Sequence, residues 1–263
     1  MIKKIIKKII IKILSLFGYS TLITKKEKSN NVIIDKLIWE PFLVKNKRMD
    51  LYYEGFNKSN MGIYDDVYKQ LRYYSLQQIV SFISKQDNIN ADFAECGCWK
   101  GHSAYIISKI LKDNNFKGEF HIFDSFEGGL SEKVDKDKNL RFELSDEEIK
   151  KESQIFFSLE SQVKECLNEF PFTRIHSGWI PEKFNQVEKR SFSFVHLDVD
   201  LYQPTIDSLN FFYPRLVNSG IIVCDDYGYS QFPGAKKAFD EFIELNNYSF
   251  FYEQPLGGCF LIK

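Results

Sequence analysis

The sequence predicts an α/β fold built on a mostly parallel sheet, with a ligand site at the carboxyl ends of the strands. Three observations carry the prediction. From residue 91 onward short β-like runs alternate with helical patterns, which implies β-α-β units with right-handed crossovers. The first run passes through a glycine-bearing turn into a helix, DFAECGCWKGHSAYIISKIL, and two later runs, FSFVHLDVD and GIIVCDD, end in aspartates. In such sheets ligands bind outside the carboxyl ends of the strands.

A chain of 263 residues buries one sizeable core. Its 44% apolar and 27% charged residues are ordinary for a globular protein, and a net charge of −1 gives no global field that selects nucleic acid. The 25 phenylalanines and 14 tyrosines fit a compositional bias better than a dedicated aromatic pocket. Five cysteines, with Cys96 and Cys98 too close for a structural zinc site, fit a reducing cytoplasm.

Residues 1–30 divide from the rest as a basic amphipathic helix and a polar linker. Ile2, Ile5, Ile6, Ile9, Ile10, Ile13, Leu16 and Phe17 recur at helical spacing with Lys4, Lys8 and Lys12 on the other side. Lys12 leaves the run too short to span a bilayer. Two readings stay open: a helix on the inner, anionic membrane surface, or one packed on the domain or on a second subunit in a homo-oligomer. Residues 31–90 predict a helical cap over the acceptor, with Val67, Leu71, Tyr74, Ile79 and Ile83 on its apolar side. Tyr64, Asp65 and Arg72 are its candidate acceptor contacts against a plain reading as a solvated face, and the charged insert 129–150 is a second expected lid.

Residues 91–263 hold the site. Gly97 and Gly101 occupy the first strand-to-helix turn, and Glu95 ends the strand before it. The spacing E-x-G-x-x-x-G lacks the pyrophosphate fingerprint and places Trp99 and Lys100 where a dinucleotide needs clearance. Asp124 ends the next strand, where an acidic side chain reaches ribose hydroxyls or else caps the following turn. Together Glu95, Gly97, Gly101 and Asp124 describe an adenosine pocket.

Asp198 and Asp200 end the fourth strand, and Asp225 and Asp226 the fifth. Neighbouring parallel strands bring these carboxylates together, where they repel unless a hard cation such as Mg²⁺ takes them as ligands. The competing reading has them terminating strands and capping helices. His196, two residues before Asp198, reads as a core histidine; His102 reads as a cofactor contact or a helix cap; His121 and His176 carry no further signal.

At these residues the chain resembles a known family. DFAECGCWKGHSA, HIFDSFEGG, HSGWIPEKF, FVHLDVDLYQPTIDSLNFFYPRLVNSGIIVCDDYG and PGAKKAFDEF are similar to the macrocin O-methyltransferases, metal-dependent enzymes that methylate sugar hydroxyls. The resemblance runs over residues 60–263. It implies a Rossmann-like class I methyltransferase fold: a mostly parallel seven-stranded sheet, antiparallel at its end, with helices on both faces. It also implies S-adenosylmethionine held by Glu95, Gly97, Gly101 and Ser103, by Asp124 and Ser125 at the ribose, and by Gly178 and Trp179 beside the adenine. Asp198, Asp225 and Asp226 match the family's metal ligands. Val199 stands where glycine is expected and puts bulk beside the metal.

The expected reaction is methyl transfer to a hydroxyl coordinated to Mg²⁺ or another divalent ion, with Asp198 and Asp200 as catalytic residues and Asp200 taking the proton. The acceptor is expected to be a sugar of a surface-polysaccharide precursor or of a glycosylated metabolite, in the cytoplasm. A phenol or catechol acceptor is the alternative. A dehydrogenase lacks support in the glycine spacing, and a non-catalytic module of the same fold would show broken acidic or glycine positions.

Overall fold

The computed structural model describes residues 47–86, 91–138, 155–255 and 257–263. The amphipathic segment and linker at 1–30 lie outside the described residues, as does the insert beyond residue 138 up to 154. Among the described residues no helix is long and apolar enough to cross a membrane.

The chain runs α1 (Lys47–Lys58), α2 (Val67–Ile83), β1 (Asp92–Cys96), α3 (His102–Asp113), β2 (Phe120–Asp124), α4 (Glu160–Cys166), β3 (Thr173–Ser177), β4 (Phe192–Leu197), α5 (Tyr202–Arg215), β5 (Leu216–Cys224), α6 (Pro233–Leu245), β6 (Phe250–Glu253) and β7 (Cys259–Ile262). These strands form one seven-stranded sheet in the order β3-β2-β1-β4-β5-β7-β6. β1 to β5 pair in parallel, and β7 enters antiparallel between β5 and β6. The predicted seven-stranded, mostly parallel sheet is therefore the fold, and β7 alone runs against the other six.

Strand alternation sorts the core into two layers. Phe93, Phe120, Ile122, Phe194, Ile221 and Val223 pack with α1 to α4. Ala94, Cys96, Val195, Leu197, Ile222 and Cys224 pack with α5 and α6. Much of the phenylalanine is core: Phe212 lies 5.0 Å from both Phe184 and Phe192, ring centre to ring centre, and 6.0 Å from Phe123. All five cysteines are buried free thiols.

α1 and α2 share the first of these cores, through Tyr52, Tyr73, Leu76, Val80 and Ile83. Asp66 caps α2, its carboxylate accepting from the Tyr68 and Lys69 N–H groups at 2.9 Å. The buried face of α2 is Lys69, Tyr73, Leu76, Gln77, Val80 and Ile83, so the expected face is rotated and Val67 stands 51% exposed. The cause is a lysine in an apolar stripe: Lys69 holds the i, i+4, i+7, i+11 line with Tyr73, Leu76 and Val80 because the acidic strand ends lie opposite.

The described start of the insert is tied to the body. Leu201 offers α5 no side-chain cap; Asp137 does so instead, its Oδ1 accepting from the Tyr202 N–H at 2.7 Å. Gly234 leaves the room, since a β-carbon there would meet Asp137 Oδ1 at 1.8 Å.

His102 begins α3, 1% exposed, and its Nε2 lies 2.9 Å from the Tyr52 carbonyl oxygen, which fixes Nε2 as the protonated nitrogen of a neutral ring. Burial, then the Lys69 charge, pulls its pKa down from 6.5 to about 3. The unfolded chain thus binds a proton near pH 6.5 that the native state refuses, and stability falls as pH drops from 6.5 towards 3. In denaturant unfolding, His102→Gln keeps a donor for Tyr52 and narrows its stability gap to the wild type by about 1 kcal/mol between pH 7.5 and 5.5; an unchanged gap contradicts the assignment. In the other layer, Phe212→Ala is expected to cost about 3–5 kcal/mol in the same measurement.

Candidate functional site

The backbone ladder continues past the strands and brings three loops together. The Gly97 N–H donates to the Phe123 carbonyl at 2.8 Å, that of Asp198 to Cys96 at 2.9 Å and that of Asp225 to Leu197 at 2.8 Å. Gly97 has φ +80°, and a β-carbon there would lie 1.9 Å from the Asp198 carbonyl oxygen, so only glycine lets the β1 and β4 turns meet.

Beside this contact opens a cleft at the carboxyl ends of β1, β2 and β4, where a parallel sheet takes its ligands. Of the predicted residues, Gly97, Asp124, Ser125, Gly178, Trp179, Asp198 and Asp200 line it. Glu95, Gly101 and Ser103 do not. Glu95 is fully buried, its Oε1 2.8 Å from His196 Nδ1, the residue opposite it on β4. Burial works to lower the His196 pKa, but the Glu95 hydrogen bond and charge outweigh it and raise the value. Glu95 Oε2 and His196 Nε2 are both buried without a partner. Gly101, at φ +86°, faces Val163 of α4, which a β-carbon would meet at 3.3 Å; its role is helix packing. Ser103 is buried in the first turn of α3.

Asp124 does more for the loop than a ribose contact requires. Its Oδ2 accepts from the Cys98 and Trp99 N–H groups at 2.7 and 2.8 Å, and its Oδ1 from the Phe126 N–H at 2.6 Å. Burial pushes its pKa up while these three bonds pull it down, and burial prevails. The Cys98 thiol bonds the same carboxylate, and the turn-capping reading of Asp124 is thus realised. The Asp124 carbonyl also receives the Gly178 N–H at 2.9 Å, which joins the two walls of the cavity. Trp179 stands 40% exposed at the mouth and packs so closely on Gly128 that a β-carbon there would meet its ring at 2.6 Å. The Trp99 indole N–H is buried without a partner in the wall. An aromatic plane, an unsatisfied donor and a carboxylate around a mostly apolar hollow suit a nucleoside.

On the other side of Asp198 lies the acidic cluster. Asp198, Asp225 and Asp226 each present a carboxylate oxygen, and these lie within 4.8 Å of one another. Desolvation, then Asp225 and Asp226, pushes the Asp198 carboxyl well above its ordinary value; Asp226 is raised by desolvation, then by Asp200 and Asp225. Three hard oxygen donors that repel one another fit a divalent cation such as Mg²⁺. Asp200 stands apart: its N–H donates to Asp226 Oδ2 at 2.7 Å and its φ is +59°. The left-handed position thus falls on Asp200, so Val199 takes ordinary backbone angles and departs from the expected glycine only in bulk.

α2 brings two basic side chains to the cluster, the candidate Arg72 and, unmarked by any sequence pattern, Lys69. Arg72 is a direct partner of the cluster, Nε to Asp225 Oδ2 at 2.8 Å. Lys69 is buried, with Nζ 5.4 Å from the Tyr73 ring centre and 5.8 Å from that of Trp99. Burial pulls its pKa down to about 8 against the pull of Asp198 and Asp225. The Asp66 cap fixes the helix start and puts Lys69 and Arg72 on adjoining positions of one face. Of the other cap candidates, Tyr64 packs edge-on to Trp99 at 4.9 Å, and Asp65 accepts from the Tyr52 hydroxyl at 2.7 Å.

A second group, Asp92, Glu119 and His121, sits at the amino end of the sheet. It is already neutralised: Arg190 reaches Asp92 at 3.2 Å and Glu119 at 2.7 Å, and Arg174 reaches Glu119 at 2.7 Å. His121 bonds His176 at 3.0 Å, so both histidines belong to this structural network.

Comparison with known proteins follows the same map. The chain is 25% identical over 167 residues to the demethyldecarbamoylnovobiocin O-methyltransferase of Streptomyces niveus, covering 59% of each chain. It is 26% identical over 152 residues to the 8-demethyl-8-(2,3-dimethoxy-alpha-L-rhamnosyl)-tetracenomycin-C 4'-O-methyltransferase of Streptomyces olivaceus, covering 54% of each. The chain thus spans little more than half the length of these relatives. In structure it is similar to the O-methyltransferase NovP (TM-score 0.59, 20% identity, 72% of this chain and 79% of that one). It is also similar to the S-adenosylhomocysteine-bound methyltransferase PaMTH1 of Podospora anserina (TM-score 0.52, 13% identity, 81% and 87%). The family model for macrocin-O-methyltransferase (TylF) matches residues 66–250. That stretch runs from the cap of α2 to the start of β6 and takes in both the cavity and the aspartate cluster, and the chain belongs to the macrocin-O-methyltransferase family.

Proposed function

We propose that this chain is an S-adenosylmethionine-dependent, divalent-metal-dependent O-methyltransferase that methylates a sugar hydroxyl of a surface-polysaccharide precursor or glycosylated metabolite. The observation that carries the reading is Asp198, which belongs at once to the cleft lined by Asp124 and Trp179 and to the three-carboxylate cluster. A methyl donor and a metal-bound acceptor would meet across this one residue. The names of the curated relatives, two O-methyltransferases and one of them acting on a rhamnosyl compound, support the sugar acceptor.

When bound, S-adenosylmethionine supplies a methyl group on a sulfonium, and the divalent ion acidifies and aims the acceptor hydroxyl. The protein's own residues do the rest. Asp124 holds the Cys98–Trp99 turn in shape through its backbone bonds and, from the cleft wall, would meet a ribose hydroxyl. Ser125 is fixed by donating to the Gly129 carbonyl at 2.6 Å, and Gly178 and Trp179 close the adenine side. Asp198, Asp225 and Asp226 hold the cation. Asp200, in the cavity wall and in a left-handed conformation, accepts the acceptor's proton. Positioning supplies much of the rate in an in-line displacement of this kind. The reaction belongs to the cytoplasm, and the saccharide reaches the cluster from the side that α2 covers.

Two titrations test the reading. In calorimetry with S-adenosylhomocysteine, the wild type is expected to bind in the micromolar range, and Asp124→Ala at least about tenfold more weakly, since both loop order and a ribose contact are lost. Absence of binding with and without Mg²⁺ overturns the cofactor assignment. Asp198→Asn is expected to keep S-adenosylhomocysteine affinity within about threefold but to lose heat on Mg²⁺ addition; retained Mg²⁺ binding overturns the metal assignment while leaving the cofactor pocket in place.

A further inference from the structure

Arg72 does not merely sit near the aspartate cluster; it takes one of its members. Its Nε lies 2.8 Å from Asp225 Oδ2, and its positive charge is held first by Asp225 and then, against desolvation, by Asp198 and Asp226. Lys69, one turn earlier on the same helix, adds a second buried cation that feels Asp198 and Asp225. α2 therefore brings two positive charges against three carboxylates whose oxygens lie within 4.8 Å of one another.

We propose that Arg72 is a built-in counter-ion of the triad that a divalent cation must displace, so that cation loading and docking of the first turns of α2 oppose each other. The proposal rests on the reading of the triad as a metal site. A cation among these oxygens comes within a few ångströms of the guanidinium, in a cleft where the side chain of Arg72 is 24% exposed and that of Asp225 9%. Like charges so close and so poorly solvated are weakly screened.

The rest of α2 shows which part gives way. Leu76, Val80 and Ile83 anchor its second half in the core, each no more than 2% exposed. Its first turn carries Val67 and Tyr68, both more than half exposed, and is held by the Asp66 cap, by Lys69 and by Arg72. When the Arg72 bond breaks, the first turns loosen while the second half stays seated. Those turns lie against the triad through Arg72 and against Trp99 through Lys69, so a loaded cation uncovers the triad. By linkage the effect runs both ways: whatever holds α2 down weakens the cation by the same factor.

Mn²⁺ is the probe. Free Mn²⁺ is followed by electron paramagnetic resonance during titration of the full chain saturated with S-adenosylhomocysteine, for the wild type, Arg72→Gln and Arg72→Lys, with amide hydrogen exchange of residues 67–72 read alongside. Arg72→Gln is expected to bind Mn²⁺ about five- to a hundredfold more tightly than the wild type, with Arg72→Lys between them. Mn²⁺ is expected to speed exchange over 67–72 in the wild type, and Arg72→Gln to exchange fast without it. Equal or weaker Mn²⁺ affinity in Arg72→Gln, or exchange in the wild type that Mn²⁺ leaves unchanged, overturns the proposal while the metal site stands. Failure of all three proteins to bind Mn²⁺, with S-adenosylhomocysteine still bound, overturns the metal reading and this proposal together.

Discussion

Asp198, Asp225 and Asp226 are carried to one point by strands that lie side by side, and the molecule has to hold three carboxylates there against their own repulsion. Much of the architecture around them answers that demand. The Asp200 N–H binds one oxygen of Asp226, Arg72 binds one of Asp225, and Lys69 is buried under the pull of Asp198 and Asp225 although burial lowers its pKa to about 8. None of these charges is free to move without disturbing the others. A divalent ion, as proposed, would relieve all three acids at once.

The cofactor side is organised by a different economy. One carboxylate, Asp124, satisfies three backbone donors of two turns, and those turns contain residues in left-handed conformations, Trp99 at φ +47° and Phe126 at φ +52°. Non-glycine residues held this way cost about 1–3 kcal/mol each and persist where the surroundings over-determine them. The cavity is thus shaped before any ligand arrives, which is what a site that works by positioning requires.

The layered fold was legible because it depends on periodicity and punctuation: apolar β runs, helices between them, and a final strand pair all follow from local pattern. The aspartate cluster was legible because parallel neighbours bring their carboxyl ends together whatever the details. What could not be read was the direction of individual side chains at turns. Glu95 was expected at the cofactor and instead faces the α1–α4 layer, where His196 lies opposite it in register. Gly101 was expected to clear space for a ligand and clears it for Val163. Lys69 gave no local signal, since a lysine on a helix usually faces solvent, and only the distant acids from β4 and β5 make its burial tolerable. Arg72 was singled out without its partner, since a contact across 153 residues leaves no trace in local pattern.

The most direct test of the account is a crystal of the full chain grown with S-adenosylhomocysteine and Mn²⁺, with the ion located by its anomalous scattering. The account predicts one peak bonded to carboxylate oxygens of Asp198, Asp225 and Asp226, on the far side of Asp198 from the nucleoside. A peak at Asp92, Glu119 and His121 alone, or none in a crystal that holds the nucleoside, would contradict it.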